Sequence, residues 1–296
     1  IQFKTLNKTK GRAVWALRSQ ADKKVYPTII QKIIKKNINI KVVEDEVVSY
    51  STKQGRVVSV VLKSAGKVGC SCLIITSGTF LNGLIHVGAN SYRAGRMGEK
   101  PSKGLTETLN DDGIKTGRLK TGTPPRISKN SIDWELTQEM PGEKTEDPFS
   151  LFTKRPYKHI NESCFLVDTN KGVHNVINKS LSLSPMFSGK IKAVGPRYCP
   201  SIEDKVFRFP KKNSHSLFIE PEWLGSNQMY LNGFSTSLPA KTQLCALKKI
   251  EAFKNIVVLR PGYAIEYDYS PAYQLKESLE SKIIGGLFLA GQINGT

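Results

Sequence analysis

Two short apolar runs, far apart in the chain, constrain its fold more than any other feature. Leu73-Ile74-Ile75 leads into Thr76-Ser77-Gly78-Thr79, and Gly285-Gly286-Leu287-Phe288-Leu289 leads into Ala290-Gly291-Gln292. An apolar strand that ends in small residues is the pattern of a buried parallel strand, covered on both faces and open to a ligand at its carboxyl end. Two such strands belong in one sheet, so the stretch between them must leave that sheet and return. The expected class is α/β, a Rossmann-type dinucleotide-binding domain with an inserted α+β second domain. The expected spans are 1–88 for the first part with its antiparallel meander, 89–270 for the insertion and 271–296 for the return. A glycine-rich turn by itself is weak evidence for a nucleotide, because tight turns use glycine anyway.

Periodicity fills in the rest. Ala13 to Lys36 reads as a helix with Val14, Leu17, Ala21, Val25, Ile29, Ile33 and Ile34 on its apolar positions, and Pro27 opens a second segment. Ile38 to Val43, Glu46 to Tyr50, Arg56 to Leu62 and Lys67 to Thr76 read as strands broken by Lys53-Gln54-Gly55 and Ser64-Ala65-Gly66. From Asn82 to about Phe152 long apolar runs give way to glycine and to Arg93, Arg96, Lys100, Lys103, Arg118, Lys120 and Arg126. Such a basic stretch suits phosphate, whether of a cofactor or of RNA, and its alternative reading is a solvated insertion. Strands are expected at 163–167 and 190–193 around a helix at 174–183. A hairpin is expected from 205–209 and 216–220, a helix at 240–253 and a buried strand at 256–259. Glu220 with Glu222, and Glu266 with Asp268, offer acid/base chemistry or loop-holding hydrogen bonds. Of the four histidines, His86 lies nearest the Gly78 turn.

The 44 Lys and Arg residues against 25 Asp and Glu give a formal net charge of +19. That excess fits a polyanionic partner, although a lysine-rich composition produces it as well. No apolar run is long enough to span a bilayer and no secretory leader opens the chain, so a cytoplasmic protein without membrane contact is expected. The five cysteines form no C-x-x-C pair, and Cys70 and Cys72 alternate along an expected strand toward one face. They read as core residues, and no metal site is expected.

Gly195-Pro196-Arg197-Tyr198-Cys199-Pro200-Ser201-Ile202-Glu203-Asp204 carries the most chemistry per residue. Pro200 suits a helix start, and Ser201 with Asp204 three residues on has the form of a capping box. A thiol at that junction meets the positive end of a helix dipole and the Arg197 guanidinium, both of which favour thiolate. The competing reading makes Cys199 a buried apolar residue.

This stretch resembles the signature of the GidA (MnmG) family of FAD-dependent tRNA wobble-uridine modification enzymes. Arg118-Leu119-Lys120-Thr121-Gly122-Thr123-Pro124-Pro125-Arg126, Ser184-Pro185-Met186-Phe187, Glu220-Pro221-Glu222, Asn232 to Pro239, Pro261 to Asp268 and Leu289 to Thr296 are similar to family segments in the same order. The resemblance implies FAD on a Rossmann-type domain, NADH as reductant and methylene-tetrahydrofolate as one-carbon donor. It also implies tRNA as substrate, the GTPase MnmE as partner in a heterotetramer, and a homodimer. By matching motifs, Val47, Ser102, Gly291, Gln292 and Asn294 are implied FAD contacts. Gly195, Pro196, Arg197, Tyr198, Cys199, Pro200, Ser201, Ile202, Glu203, Asp204, Lys205, Val206, Phe207, Arg208 and Phe209 match the segment assigned to NAD. Cys199 matches the catalytic cysteine, acting by thiolate attack or proton transfer at the uridine ring. Arg93, Arg96, Arg118, Lys120 and Arg126 are the expected tRNA contacts.

The family's first glycine fingerprint and its other cysteine would lie before Ile1, and its C-terminal helical domain beyond Thr296. The chain therefore reads as an internal piece with an incomplete FAD-binding domain, expected to hold flavin poorly and not to turn over. Gly11-Arg12-Ala13 and Tyr92-Arg93-Ala94-Gly95-Arg96 depart from the family pattern. The alternatives are a folate- and FAD-dependent tRNA uracil methyltransferase of the TrmFO type, and a non-enzymatic basic RNA-binding module.

Overall fold

The computed structural model describes residues 1–143, 148–154, 162–195 and 200–295. In chain order, β1 (Phe3–Leu6) and β2 (Ala16–Ser19) pair antiparallel and precede α1 (Val25–Lys36). Next, β3 (Val47–Lys53), β4 (Arg56–Leu62) and β5 (Gly66–Gly69) form an antiparallel meander, followed by β6 (Leu73–Ile75). The hairpin of β7 (Leu84–Val87) and β8 (Asn90–Arg93) leads to α2 (Leu105–Asp111), β9 (Gly117–Thr123) and β10 (Arg126–Ser128). Then come β11 (Gln138–Met140), β12 (Cys164–Asp168), α3 (Lys171–Lys179) and α4 (Ile202–Arg208). The chain continues through β13 (Ser216–Pro221), β14 (Gln228–Asn232) and α5 (Ala240–Leu247). It closes with β15 (Val258–Arg260), β16 (Tyr263–Tyr269) and β17 (Leu287–Leu289).

The two constraining runs meet. β17 lies parallel to β6, with Leu287 opposite Leu73 and Leu289 opposite Ile75. Around them Tyr50, Val57, Leu105, Leu109, Ile114, Ile284 and Ile293 form one apolar core. Ile74, expected to be covered, is 63 % exposed.

A second sheet has the order β8-β7-β16-β9, and a third the order β11-β12-β13-β14-β10-β15. The third packs Ile127, Val167, Leu217, Ile219 and Leu231 against Val173 and Ile177 of α3, Ile202 and Val206 of α4, and Ala246 and Leu247 of α5. That buried set is the largest apolar core of the described residues. The boundary expected after residue 88 falls inside the β7–β8 hairpin, since Val87 pairs with Asn90.

Several local expectations change. The helix expected over 13–36, with a second segment opening at Pro27, gives way to β2 followed by α1, which runs unbroken through Pro27, because the backbone of Ala16–Ser19 pairs with Phe3–Leu6. Asp22 then marks the start of α1 by accepting the N–H groups of Lys24 and Val25. No residue of α1 is buried. The run 38–43 forms no strand, and Asn37 turns the chain there by accepting the Asn39 N–H. The run 67–76 breaks at Ser71, whose neighbourhood is occupied by the Gly286 backbone, so Cys70 is half-buried while Cys72 is exposed.

The segment 205–208 is helical, since the Ser201 cap winds it into α4, and β13 forms its hairpin with β14 instead. Lys190–Ala193 forms no strand, and the contact there is a bridge between Val194 and Leu119. The helices expected at 174–183 and 240–253 end at Lys179 and Leu247, each followed by a short 3-10 turn. The strand expected at 256–259 is β15, and it is only half-buried.

Candidate functional site

The carboxyl end of β6 opens into a cavity of about 530 Å³. Val47, Leu73, Ile75, Phe80 and Leu105 supply apolar lining, while Asp45, Glu46, Thr76, Ser77, Lys100 and Ser102 supply polar lining. This is where a doubly wound sheet presents its ligand site. Val47 and Ser102, both singled out from sequence, line it together. The Ser77 hydroxyl is buried without a hydrogen-bond partner, and an orphaned polar atom at the edge of a cavity is satisfied most simply by a bound group. Asp45 is occupied in the loop, where backbone N–H groups of Glu46, Ser64 and Ala65 hydrogen-bond it.

Gly291, Gln292 and Asn294 do not line the cavity. They form the turn after β17, where Gln292 Nε2 donates to the Tyr267 hydroxyl and Asn294 Nδ2 donates to the Leu289 carbonyl at 3.1 Å. The glycine pattern located this turn correctly, but the side chains face its own support. Sequence reasoning passed over Phe80, whereas Lys100 stood in the basic stretch read as suited to cofactor or RNA phosphate. Ser77 stood in the quoted strand end, and its small-residue neighbourhood was the available signal.

The segment 195–209 is described at Gly195 and from Pro200 to Phe209, while Pro196, Arg197, Tyr198 and Cys199 lie outside the described residues. The capping box is present: Ser201 Oγ accepts from the Asp204 N–H at 3.1 Å, and Asp204 Oδ2 accepts from the Ser201 N–H at 3.0 Å. Ile202, Glu203, Asp204 and Val206 are buried, whereas Phe207, Arg208 and Phe209 are exposed. Lys205 Nζ donates to the Gly233 carbonyl at 3.0 Å.

Glu203 was not distinguished within this segment by sequence, yet it is its most unusual member. It is completely buried; Oε1 accepts from the Ser237 N–H at 3.0 Å, and Oε2 has no partner. Burial pushes its carboxyl above the ordinary range against the opposing pull of hydrogen bonds and of the Lys120 ammonium.

Lys120, expected on an RNA-facing surface, is 2 % exposed and sits within the core of the second sheet, opposite Glu266. Arg126 is also turned inward. It donates to Glu222 Oε1 at 3.0 Å, to Thr123 Oγ1 at 2.7 Å and to the Pro124 carbonyl, and it stacks on Tyr230. Arg118 is half-buried and donates to Asp268 at 2.7 Å and to the Asn82 carbonyl at 3.0 Å. The two arginines therefore brace the fold, each claimed by an internal carboxylate, while the lysine is enclosed. Arg93 and Arg96 are exposed, and Arg96 pairs with Glu99.

Both acid pairs resolve as braces. Glu220 and Glu222 meet Arg18, Lys23 and Arg126, and Asp268 gathers Arg118, Asn82 and Thr106. Glu266 Oε2 lies 2.7 Å from His86 Nε2, and Ser91 Oγ lies 3.0 Å from His86 Nδ1. No cluster of metal-ligating side chains occurs among the described residues, and no described helix is long and apolar enough to cross a membrane.

Comparison with known proteins agrees with this layout. The family model described as glucose inhibited division protein A matches residues 1–296. A tRNA uridine 5-carboxymethylaminomethyl modification enzyme MnmG of Chlorobium phaeobacteroides is 48% identical over 297 residues, covering 100% of this chain and 48% of that protein. Its counterpart in Thermodesulfovibrio yellowstonii is 46% identical over 296 residues, with 47% of its length covered. The structure of Aquifex aeolicus GidA superposes with a TM-score of 0.93 at 40% identity, covering 100% of this chain and 50% of that one. The chain thus spans about half the length of the relatives it matches.

Proposed function

Because the chain belongs to the glucose-inhibited division protein A (GidA) family, we propose that it forms part of a tRNA wobble-uridine modification enzyme, the part that holds a flavin and handles the RNA. The observation that carries this reading is the cavity at the carboxyl end of β6, with Val47 and Ser102 on its wall and the Ser77 hydroxyl unpartnered at its edge. An extended apolar wall beside a lysine and two hydroxyls fits FAD, which has a flat apolar ring system and a charged pyrophosphate. Val47, Leu73, Ile75, Phe80 and Leu105 would hold the apolar part, and Ser77, Lys100 and Ser102 the polar part. FAD supplies the redox step that no side chain can perform.

The remaining reading rests on the motifs. NADH is the proposed reductant at the segment 195–209, methylene-tetrahydrofolate the one-carbon source, and the GTPase MnmE the partner of a homodimer. Cys199 is the proposed group acting at the uridine ring as thiolate or proton carrier, favoured as thiolate by Arg197 and by the start of α4. The apolar strands ending at Gly78 and Gly291 are superfluous to a plain RNA-binding module, which favours the flavoenzyme.

The test is mass spectrometry of tRNA nucleosides from cells whose full-length gene carries Cys199→Ser, together with the flavin absorbance of the purified protein. The expected result is loss of C5-aminomethyl-type wobble uridines with flavin retained. Loss of ribothymidine instead would favour the uracil methyltransferase, and unchanged nucleosides would return the RNA-binding module to first place.

A further inference from the structure

A second cavity, of about 230 Å³, lies between α3 and the turn after α4 and is separate from the cavity at β6. Its lining comprises Lys171, His174, Asn175 and Asn178 from α3, Val206 from α4, and Pro210, Lys212 and Asn213 from the turn. Two ammonium groups, an imidazole and three carboxamides converge there, and no carboxylate lines it. A cavity furnished almost wholly with hydrogen-bond donors, two of them cationic, is complementary to an anion.

The wall behind it is built to keep the imidazole in place. Thr169 Oγ1 accepts from the His215 N–H at 2.8 Å and lies 2.8 Å from His174 Nε2. Thr169 thus holds the His174 ring through Nε2, and His174 itself lines the cavity. His174 is nine-tenths buried, and its ring lies 5.3 Å from that of His215. His215 is 6 % exposed, and its Nε2 is buried without a partner.

Cations around the two rings outnumber carboxylates. Lys171 comes from α3, Lys205 from α4 and Lys212 from the turn, while Lys249, just after α5, packs against Gly172 of α3. The nearby carboxylate, Asp168, is bonded to Ser216 Oγ at 2.8 Å. Burial holds both histidines below the ordinary imidazole range, and for His215 the neighbouring His174, Lys212 and Lys205 add to that. A bound phosphate opposes this balance, because its negative charge favours the imidazolium that burial and the lysines disfavour.

We propose that this cavity is a phosphate-binding site for the RNA backbone, with Lys171 and Lys212 as the charged contacts, His174 as a donor and the three asparagines as neutral donors. This rests on the tRNA reading above and adds to it a specific anchoring point distant in the fold from the flavin cavity. Linkage sets its pH dependence: phosphate binding raises the histidine pKa values, so affinity increases as pH falls from 8 toward 6.

The test uses the full-length protein with a labelled tRNA transcript, in a salt titration at pH 6 and pH 8. Replacing both lysines (Lys171→Ala with Lys212→Ala) should weaken binding about tenfold at moderate salt and make the log–log salt slope shallower by about two. Wild type should bind more tightly at pH 6, and His174→Asn should flatten that difference. Unchanged affinity and slope in the double variant overturn the proposal, provided wild type binds tRNA. A wild type that fails to bind tRNA refutes the tRNA reading itself, and the backbone assignment with it.

A second measurement separates the phosphate sources and does not depend on any variant folding. Titration of the unmodified protein with inorganic phosphate, followed through the histidine ring proton resonances, should move His174 and His215 only at high concentration, and tRNA should move both at far lower concentration. Saturation by free phosphate at low concentration, without response to tRNA, would assign the cavity to a small phosphorylated ligand and overturn the RNA assignment.

Discussion

His86 Nε2 and Glu266 Oε2 lie 2.7 Å apart in the interior of the second sheet, with His86 1 % exposed and Glu266 7 % exposed. The pair joins β7 to β16, and Ser91 engages the other ring nitrogen from β8, so three of the four strands are tied at one imidazole. Removing one member leaves the other buried with a lost partner, which is costlier than never having placed the pair there. His86→Ala should destabilise the protein by about 3 kcal/mol, whereas Glu266→Gln, which keeps a hydrogen-bonding group, should cost about 1 kcal/mol. Urea unfolding midpoints compare the two, and equal losses would show that packing rather than the hydrogen bond dominates.

Glu222 predicts an acid-sensitive joint. Burial by itself would raise its carboxyl, but hydrogen bonds from Lys23 and Arg126 outweigh burial and hold it below the ordinary carboxylate range. A depressed folded pKa contributes stability above the unfolded value, about 4.3, and that contribution is lost as pH falls through the lower folded value. Glu222→Gln should therefore be less stable than wild type at pH 7, with the difference shrinking as pH falls below the unfolded value. Thermal melts across that range provide the check.

Glu203 predicts the opposite sign. Its carboxyl is raised by burial, so the folded state favours the protonated form, and stability is lost as pH rises above the unfolded value. Glu203→Gln retains an oxygen for the Ser237 N–H and carries no charge to bury. It should match wild type near pH 4 and exceed it at pH 8. A variant less stable than wild type at pH 8 would mean that the ionised carboxylate and Lys120 stabilise one another more than burial costs.

Cys164 should be chemically silent. Burial first, and then the Glu220 charge, push its thiol up to about 11, despite Arg18 and Lys4 pulling the other way. At pH 8 iodoacetamide should label the exposed Cys72 and Cys245 and spare Cys164 until denaturant is added. Peptide mapping by mass spectrometry reads this directly.

Gly286 tests the parallel pairing itself. It sits at φ +77°, and an added Cβ would lie 2.5 Å from the Ser71 carbonyl oxygen, a backbone atom that cannot step aside. Gly286→Ala should cost at least about 2 kcal/mol and open the β6–β17 pair to proteolysis. By contrast Gly225→Ala, with a similar φ but nothing within 4 Å, should lose only the backbone strain.

The features legible in sequence were those fixed by local chemistry. The two apolar strand ends, the meander turns at Gly55 and Gly66, and the capping box at Ser201 all follow from a few adjacent residues, and each is present. Val47 and Ser102, expected as FAD contacts through motif likeness, both line the cavity at β6. What escaped was set by partners distant in the chain. The strand at Ala16–Ser19 exists because Phe3–Leu6 lies beside it, and leucine and arginine there fit a helix equally well. The basic residues Arg118, Lys120 and Arg126 look the same on paper as Arg93, and only the acidic side chains of Asp268 and Glu222, some 100 to 150 residues downstream, and enclosure by the sheet distinguish braces from surface charge.

The β6–β17 pairing also dictates an order of events during folding. Leu73 and Leu287 are separated by about 200 residues, and closing a flexible loop of that length costs about 5 kcal/mol of chain entropy. Two three-residue strands cannot offset that cost, so their union must wait until the intervening sheets have folded and brought their ends together. On a ribosome adding roughly 5–20 residues each second, β6 stands without its neighbour for about 10–40 s. For that interval the apolar edge of Leu73, Ile74 and Ile75 is open to pairing with other chains, and offers a chaperone a handhold.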